Sequence, residues 1–357
     1  MSRPRWNSIA AARSMRSVFR PGEERQPNDR AQTRPSPKTR FREEMNDSVH
    51  IVEQPRFSVV MPAFNCERYI GEAIESVIQQ SYPALELIVV DDGSTDGTAQ
   101  VVQHFSKRLP TLFIRQNNQG PSAARNHGVA LAQGDWIGLL DADDVWLPTK
   151  LLTHRDHIIA HPNTVFFWSD WRYMDHKGDP IRRGPEDSPF SGVIFGHPTL
   201  PIPSSVVMRR DVFDRTTGFD QRLRHSEDVE YFARLANRFS VQFITQQLVR
   251  YRTHKTQLHL NLRVAADNWP LVNQSLARLW HDDHRKLRAL AEHSAMRYTR
   301  MGRDFLIAGD YERARHFFRQ CSKQKLLHLQ NLRRWALSYM PPLRELYRRN
   351  KQHAARV

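Results

Sequence analysis

Three carboxylates stand within four residues at Asp141-Ala142-Asp143-Asp144, directly after the apolar run 136–140. A run this short and apolar predicts a strand that is buried on both faces. Carboxylates crowded together repel one another, and a divalent cation would remove that cost. Oxygen ligands in a D-x-D spacing suit Mg²⁺ or Mn²⁺, which commonly bind one or two carboxylates together with substrate phosphates. The alternative is a solvated acidic turn in which an aspartate caps the next helix.

A second acidic loop, Asp91-Asp92-Gly93-Ser94, follows the apolar run 85–90. A carboxylate at the end of a buried strand can accept hydrogen bonds from a ribose or a base. The alternative is a turn with a helix cap, since serine, threonine and aspartate at 94–96 are all good caps. Neither the glycine-rich turn of a nicotinamide-binding fold nor the P-loop pattern is present in the sequence, which disfavours both of these classes.

The elements that must position these acids alternate along residues 56–150. Strands are predicted at 57–61, 85–90, 112–115 and 136–140, and helical patterns at 70–78 and 120–131, with a further helix between them that carries Val101, Val102 and Phe105 on one side. Strands that alternate with helices predict βαβ units and an open, mostly parallel sheet with helices on both faces. Ligands of such sheets lie beyond the carboxyl ends of the strands. The loops that follow the first, second and fourth strands are therefore expected to face one cleft.

The pattern is looser after residue 150. Strands are predicted at 165–168, 204–208, 241–244 and 248–251, a turn-rich hairpin at 170–180, and a helix that opens at Glu227-Asp228. From about residue 265 the chain is typical of helices rich in arginine and histidine. The fold class expected is α/β with a C-terminal helical extension.

Charge is distributed unevenly along the chain, which has a net charge of +15. Residues 1–50 carry 11 Lys and Arg against 6 Asp and Glu, residues 51–260 carry 22 against 24, and residues 261–357 carry 20 against 8. We therefore predict a disordered basic leader over 1–55, a near-neutral folded domain over 56–260 and a basic helical region over 261–357.

Several classes of protein are disfavoured by the sequence. Cys66 and Cys321 have no C-x-x-C spacing, so neither a zinc site nor a disulfide framework is expected. No apolar stretch reaches the 18 residues of a membrane span, and the leader lacks the apolar core of a secretory signal. The near-neutral middle of the chain argues against a nucleic-acid groove. We expect a cytoplasmic protein, either free or peripheral on the inner face of the membrane, with no nucleic-acid partner.

The C-terminal segment combines apolar residues with arginines. The apolar positions are Leu326, Leu327, Leu329, Leu332, Trp335, Leu337 and Met340, and basic residues flank them. This pattern suits a helix that lies on an anionic lipid surface. A solvated, arginine-rich packing helix is the alternative.

Four segments closely resemble, in order and spacing, the motifs of family 2 glycosyltransferases: 58–65, 86–98, 120–128 and 141–144. The resemblance is strong over 57–150 and looser over 150–255. It implies that residues 56–260 form the catalytic domain, with 56–150 as its nucleotide-sugar half and 151–260 as its acceptor half. It implies a GT-A type fold and an inverting transfer, hexosyltransferase-like, from a nucleoside-diphosphate sugar (most often a UDP-sugar) to a hydroxyl of a glycan or lipid-linked acceptor. It also implies a role in cell-surface glycan synthesis, whether of polysaccharide, lipopolysaccharide or exopolysaccharide.

The resemblance also implies roles for single residues. The nucleotide-sugar site would include Pro62, Ala63, Asn65, Asp92, Ser94, Arg125, Asp141 and Asp143. Within it, Asp92 would lie near the base, Asp141 near the ribose, and Arg125 in the helix that backs the diphosphate. The ligands of Mg²⁺ or Mn²⁺ would come from Asp143, Asp141 and His254.

An inverting transfer needs a base that deprotonates the acceptor hydroxyl. Ser226-Glu227-Asp228 resembles the E-D motif of the family, which implies that Asp228 is the base and that Glu227 shares the catalytic site. The alternative is that these acids only favour a helix N-terminus through the dipole. A catalytically inactive nucleotide- or glycan-binding module with the same fold would have little reason to keep Asp92, Asp143 and Asp228 together.

Overall fold

The computed structural model describes residues 54–181, 188–254, 257 and 261–323. The strands are β1 (Phe57–Ala63), β2 (Glu86–Asp91), β3 (Thr111–Arg115), β4 (Trp136–Leu139), β5 (Val145–Trp146), β6 (Phe166–Met174), β7 (Val206–Arg209) and β8 (Val241–Arg252). The α-helices are α1 (Ile70–Ile78), α2 (Thr98–Phe105), α3 (Pro121–Leu131), α4 (Lys150–Ala160), α5 (Pro189–Phe195), α6 (Arg210–Asp214), α7 (Glu227–Arg238), α8 (Leu262–Leu279), α9 (His284–Ala308) and α10 (Tyr311–Lys323). A 3₁₀ helix, Pro203–Ser205, precedes β7.

One mixed sheet of eight strands organises the described residues, in the order β3-β2-β1-β4-β7-β6-β8-β5. The first four strands are parallel, as the βαβ pattern predicts. β7 is antiparallel to both β4 and β6, β8 is parallel to β6, and β5 is antiparallel to β8. The predicted α/β class is confirmed, and its regular parallel part coincides with residues 56–150.

Two details of the second half differ from the prediction. The expected hairpin at 170–180 is present but short: its first arm is the end of β6, which continues to Met174, and its return is a single antiparallel bridge to Pro180. The two strands expected at 241–244 and 248–251 form one continuous strand, β8. Residues 245–247 are polar and exposed, which is typical of a loop, and the pairing with β6 skips residues 245 and 246 before it resumes at Gln247.

Helices cover both faces of the sheet because alternate residues of the central strands point to opposite sides. Val60 of β1 packs in one core cluster with Ala124 and Val129 of α3. Its neighbour Val59 packs in a second cluster on the other face, with Ile70 and other buried residues of α1. The predicted three-layer arrangement is therefore confirmed.

The C-terminal helices share the larger of these two clusters. Trp269 of α8, Leu290 of α9 and Phe317 of α10 belong to the same buried group as Phe232 of α7. The ring of Phe190 in α5 lies 6.1 Å from that of Trp280, which follows α8. Over residues 262–323 the predicted helices are present, and they form part of the core that supports the sheet.

Two predictions fall on segments outside the described residues: the basic leader up to residue 53, and the apolar and arginine-rich pattern at 326–351. Within the described ranges, no helix combines the length and the apolar character that crossing a bilayer requires.

Helix α3 approaches the sheet at Gly128, where a side chain would have little room. A Cβ atom there would lie 2.5 Å from Cγ1 of Val60 and 3.3 Å from Cγ2 of Val90. We predict that Gly128→Ala lowers the free energy of unfolding by about 1–3 kcal/mol through overpacking, measured from urea denaturation. Gly192 of α5 is the matched control, because a Cβ there meets nothing within 4 Å. Gly192→Ala should be neutral or stabilising by up to about 1 kcal/mol, and equal effects of the two substitutions would contradict the packing argument.

Candidate active site

The loops that carry the predicted site residues meet at one edge of the sheet. β2 and β4 both pair with β1 and run parallel to it, so the three strands end at the same edge. Asp92 follows β2 directly, and the acidic cluster 141–144 follows β4 after one residue. The topology therefore brings the two acidic loops to the same side of the molecule, as the sequence predicts.

Asp92 organises the loop between β3 and α3. Its carboxylate accepts hydrogen bonds from Nε2 of Gln116 at 2.9 Å, from the N–H of Gln119 at 2.8 Å and from the N–H of Gly120 at 2.7 Å. Gly120 has φ +91°, a backbone conformation that strongly favours glycine. In this structure Asp92 holds the N-terminus of α3 in place; its predicted contact with a base stays a prediction.

Asn65 and Ser94 fasten the loop after β1 to the loop after β2. The N–H of Asn65 donates to Oγ of Ser94 at 2.9 Å, and the N–H of Thr95 donates to Oδ1 of Asn65 at 2.8 Å. Asp91 supports the same turn, because its Oδ1 accepts from the N–H of Ser94 at 2.9 Å. Asn65 and Ser94 thus fix the shape of the two loops that are predicted to bind the nucleotide.

Pro62 and Ala63 are the last two residues of β1. The β1–β4 pairing ends at Val60, two residues before Pro62, so the missing N–H of the proline interrupts no hydrogen bond on that side. The C=O of Ala63 accepts from the N–H of Asp92 at 2.8 Å. Both residues therefore lie beside the acidic loop after β2.

Arg125 of α3 joins the two acidic motifs. Its side chain is 4% exposed, and its guanidinium donates to Oδ1 of Asp141 and to Oε1 of Glu227, each at 2.6 Å. Burial alone would lower the pKa of Arg125, but the two carboxylates raise it above its ordinary value. The ring of Phe219 lies 5.5 Å from the guanidinium carbon and adds a cation–π contact. The D-x-D loop and the start of α7 therefore share one charged centre.

Asp228 follows Glu227 at the start of α7 and is partly buried. Its Oδ1 accepts a hydrogen bond from the N–H of Val229 at 2.8 Å. Burial, together with the charge of Glu227, raises the pKa of Asp228 to about 7, although the charge of Arg125 opposes the rise. A carboxylate with this pKa can accept a proton efficiently near neutral pH.

Asp143 and His254 come together from β4 and β8. Oδ2 of Asp143 lies 2.9 Å from Nε2 of His254 and 3.5 Å from Nε2 of Gln257. Among the described residues, no three His, Cys, Asp or Glu side chains gather closely enough to hold a metal ion. A carboxylate and an imidazole still suit a cation that takes its other ligands from water and substrate phosphates. Asp141, the third predicted ligand, is engaged by Arg125 instead.

Asp144 ties the acidic loop to the second half of the domain. Its side chain is 1% exposed; Oδ2 accepts from Oγ of Ser204 at 2.6 Å, and Oδ1 accepts from the N–H of Arg252 at 2.9 Å. Burial, reinforced by the charges of Asp143 and Asp141, raises the pKa of Asp144 well above its ordinary value. The role of Asp144 in this structure is to hold the loop.

Sequence reasoning missed three residues that shape the site: Ser204, Arg252 and Gln257. Oγ of Ser204 accepts from the N–H of Asp141 at 3.0 Å, and Nε of Arg252 donates to the C=O of Asp143 at 2.8 Å. Gln257 accepts from the N–H of His254 at 3.1 Å and donates to the C=O of Arg252. The partners in the acidic loop are more than 60 residues away along the chain, so no local pattern reveals these contacts.

An open α/β sheet with acidic loops beyond its strand ends places the protein in the class of ligand-binding α/β proteins. Within this class, residues 58–217 match the model of the family "Glycosyl transferase family 2". These residues form a glycosyltransferase family 2 domain, and the resemblance on which the sequence analysis depends is confirmed.

Several curated proteins have similar sequences. The chain is 37% identical over 134 residues to an uncharacterized glycosyltransferase of Haemophilus influenzae, which covers 37% of this chain and 53% of that protein. It is 26% identical over 247 residues to chondroitin synthase of Escherichia coli, covering 67% and 35% of the two chains. It is 29% identical over 238 residues to the putative glycosyltransferase EpsE of Bacillus subtilis, covering 63% and 83%. The chain therefore spans about half of the first relative and about a third of the second.

Solved structures show the same fold at low sequence identity. Residues 1–349 of S. aureus TarS in complex with UDP-GlcNAc superpose with a TM-score of 0.59 at 18% identity, covering 83% of this chain and 92% of that one. A second TarS structure gives a TM-score of 0.51 at 22% identity, covering 66% and 42%. The predicted GT-A type fold is confirmed.

The raised pKa of Asp228 has a consequence for stability. Since the folded protein binds this proton more tightly than the unfolded chain, the carboxyl contributes stability below about pH 4, and this contribution is lost as the pH rises through about 7. We predict that Asp228→Asn is more stable than the wild type at pH 8, by on the order of 1–2 kcal/mol after allowance for partial exposure, and that the difference vanishes near pH 4. Urea denaturation at both pH values measures it.

Asp282, whose side chain is 86% exposed, provides the control for this comparison. Asp282→Asn should follow the wild-type stability at both pH values. If Asp228→Asn and the wild type have the same free energy of unfolding at pH 8, the charged form of Asp228 does not destabilise the folded protein.

Proposed function

We propose that the protein is an inverting glycosyltransferase that moves a sugar from a nucleoside diphosphate to a hydroxyl of an acceptor. The observation that carries the proposal is the position of Arg125, whose ion pairs with Asp141 and Glu227 bring the D-x-D loop and the E-D motif into one cleft. The match of residues 58–217 to family 2 supports the same class of reaction.

Asp228 is the proposed base. Glu227 is engaged by Arg125, whereas the hydrogen bond to Asp228 comes from a backbone N–H of its own helix. With a pKa of about 7, Asp228 is substantially ionised at neutral pH and can still bind a proton firmly. It would take the proton of the acceptor hydroxyl while that oxygen attacks the anomeric carbon from the face opposite the diphosphate.

The donor would lie along the loops after β1, β2 and β4. Asn65, Ser94 and Asp92 fix the first two of these loops by hydrogen bonds, and Arg125 supplies positive charge behind the third. A UDP-sugar is the proposed donor, and the structure of S. aureus TarS in complex with UDP-GlcNAc supports this choice. Pro62 and Ala63, at the end of β1, would line the nucleoside pocket.

Mg²⁺ or Mn²⁺ is the proposed cofactor, held by Asp143 and His254. Their Oδ2 and Nε2 atoms lie 2.9 Å apart, so one ion placed beside them could contact both. The bound ion would act as a Lewis acid that stabilises the charge on the departing diphosphate. Asp141 remains a candidate third ligand on the side of the loop that faces Arg125.

A glycan or lipid-linked acceptor of the cell surface is the proposed second substrate. Two relatives carry names of this kind: chondroitin synthase of E. coli, and the putative teichuronic acid biosynthesis glycosyltransferase TuaG of B. subtilis, 34% identical over 131 residues. A cytoplasmic enzyme in contact with the inner face of the membrane would meet lipid-linked acceptors there. The basic C-terminal region is the proposed contact.

The proposed roles predict the effect of two substitutions on transfer. Asp143→Ala and Asp228→Asn should each lower the transfer rate by at least about 100-fold, because one removes a cation ligand and the other removes the base. The assay measures release of UDP from UDP-sugars in the presence of Mn²⁺ and acceptor extracts, after a thermal-shift screen has selected the donor. Circular dichroism verifies that both variants are folded.

Asp156→Asn is the control for this assay, since that side chain is 57% exposed and lies on α4. It should transfer at the wild-type rate. Wild-type rates in both site variants would overturn the assigned roles, and a wild type that binds nucleotide without turning over any donor would identify a binding module.

The cation site has a test that does not depend on activity. Asp143→Ala and His254→Ala should each weaken Mn²⁺ binding in the presence of UDP by about 10-fold or more, since each removes one protein ligand. Electron paramagnetic resonance of free Mn²⁺ measures the affinity. His281→Ala, a change at a side chain that is 72% exposed, should leave the affinity unchanged. Unaltered binding in both site variants would exclude this pair as the cation site.

A further inference from the structure

The turn that precedes the proposed base is held by the C-terminal helices. The N–H of Arg224 donates to Oδ1 of Asn268 in α8 at 2.7 Å, and NH2 of Arg297 in α9 donates to Oγ of Ser226 at 3.0 Å. Asn268 and Arg297 both lie beyond residue 217, where the family match ends. Side chains outside the matched region therefore fix the backbone that leads into α7.

Ser226 has an unusual backbone conformation. Its φ of +58° and ψ of +24° are left-handed, which is uncommon for a residue other than glycine and persists where the surrounding structure enforces it. Serine at a helix N-cap usually accepts a hydrogen bond from the first turn, yet the Ser226 side chain makes no such bond here. Its hydroxyl is directed to Arg297 and His225 instead.

The chemistry of these groups fixes the direction of the hydrogen bonds. A guanidinium can only donate, so Oγ of Ser226 accepts from Arg297. The hydroxyl hydrogen of Ser226 is then available to Nδ1 of His225, which lies 2.6 Å from Oγ. The three side chains form a chain of polar contacts that holds the turn in one orientation.

Arg297 is itself fixed in position. Its guanidinium carbon lies 4.2 Å from the ring centroid of Trp269, which is fully buried, and this contact restricts its movement. Within the part of the chain that the structure describes, no carboxylate lies within ion-pair distance of Arg297. Burial lowers the pKa of Arg297 to about 10, against the favourable charge of Asp228, so the side chain is still positive at neutral pH.

We propose that Arg297 is a positioning residue for transfer, which acts through Ser226 to set the direction in which Glu227 and Asp228 leave the turn. This role rests on the proposed function, because it concerns the base of the same reaction. A displaced base deprotonates the acceptor less well, whereas the donor loops after β1, β2 and β4 keep hydrogen bonds to partners outside this turn. The expected defect is therefore in kcat and not in the KM for the donor.

The experiment compares variants of the full chain. Arg297→Ala should lower kcat by about 10–100-fold, with the KM for the donor changed less than about 3-fold, since small displacements of a catalytic group cost rate. Guanidinium added to the assay should restore part of the lost rate, and Arg297→Lys should retain more activity than Arg297→Ala. Arg288→Ala, a change at a side chain of the same helix that is 83% exposed, should have the wild-type kcat.

A double-mutant cycle tests the route through the hydroxyl. Ser226→Gly keeps the left-handed backbone at little cost and removes the acceptor of the Arg297 hydrogen bond. It should lower kcat to a similar extent, and the double variant Ser226→Gly/Arg297→Ala should be no slower than either single variant. Multiplied losses in the double variant would overturn the route through Ser226.

The positioning role and the proposed function fail in different ways. Full kcat in Arg297→Ala, with an inactive Asp228→Asn, overturns the positioning role alone. A loss of kcat in Arg297→Ala that guanidinium does not reverse, accompanied by a lowered Tm, also overturns it, because the residue would then be structural. Wild-type transfer by Asp228→Asn overturns the proposed function, whatever Arg297→Ala shows.

Discussion

The buried guanidinium of Arg125 is the constraint on which the rest of the site depends. It pairs with Asp141, 16 residues away, and with Glu227, 102 residues away, and it is 4% exposed. Removing either carboxylate would leave a buried charge that is only partly compensated, which is strongly unfavourable. The first half of the domain is thereby locked to the second. Because Glu227 takes the ion pair, burial and the charge of Glu227 outweigh the opposing charge of Arg125 at Asp228 and raise its pKa to about 7, the value on which its proposed role as base depends.

The regular part of the fold could be predicted because its signals are local. Short apolar runs and the helical spacing of Ile70, Ala73, Ile74 and Val77 give strand and helix directly, and these side chains are indeed buried. The second half was harder to predict, since its strands are set by pairing with distant partners. The exposed polar residues 245–247 lie within β8 because the strand resumes its pairing with β6 at Gln247, after an irregularity that no property of these residues reveals.

The same distinction applies to the site. The motifs predicted which loops carry acids, since each acid follows its own strand or opens its own helix. They did not predict the pairings: Asp144 with Ser204 and Arg252, or Glu227 with Arg125. Such contacts depend on how two halves of the chain pack, so residue types alone leave them open. The proposed cation ligands share this dependence, because Asp143 meets His254 across 111 residues.

The packing of α8 to α10 limits how modular this protein can be. Phe190 of α5 is 1% exposed because Trp280 and His293 cover it, with ring centroids 6.1 and 4.6 Å away. A folding unit that ended at residue 260 would present this aromatic surface to water and favour aggregation. Recombination between chains, in evolution or in the laboratory, would therefore have to transfer the eight-stranded sheet and these helices together.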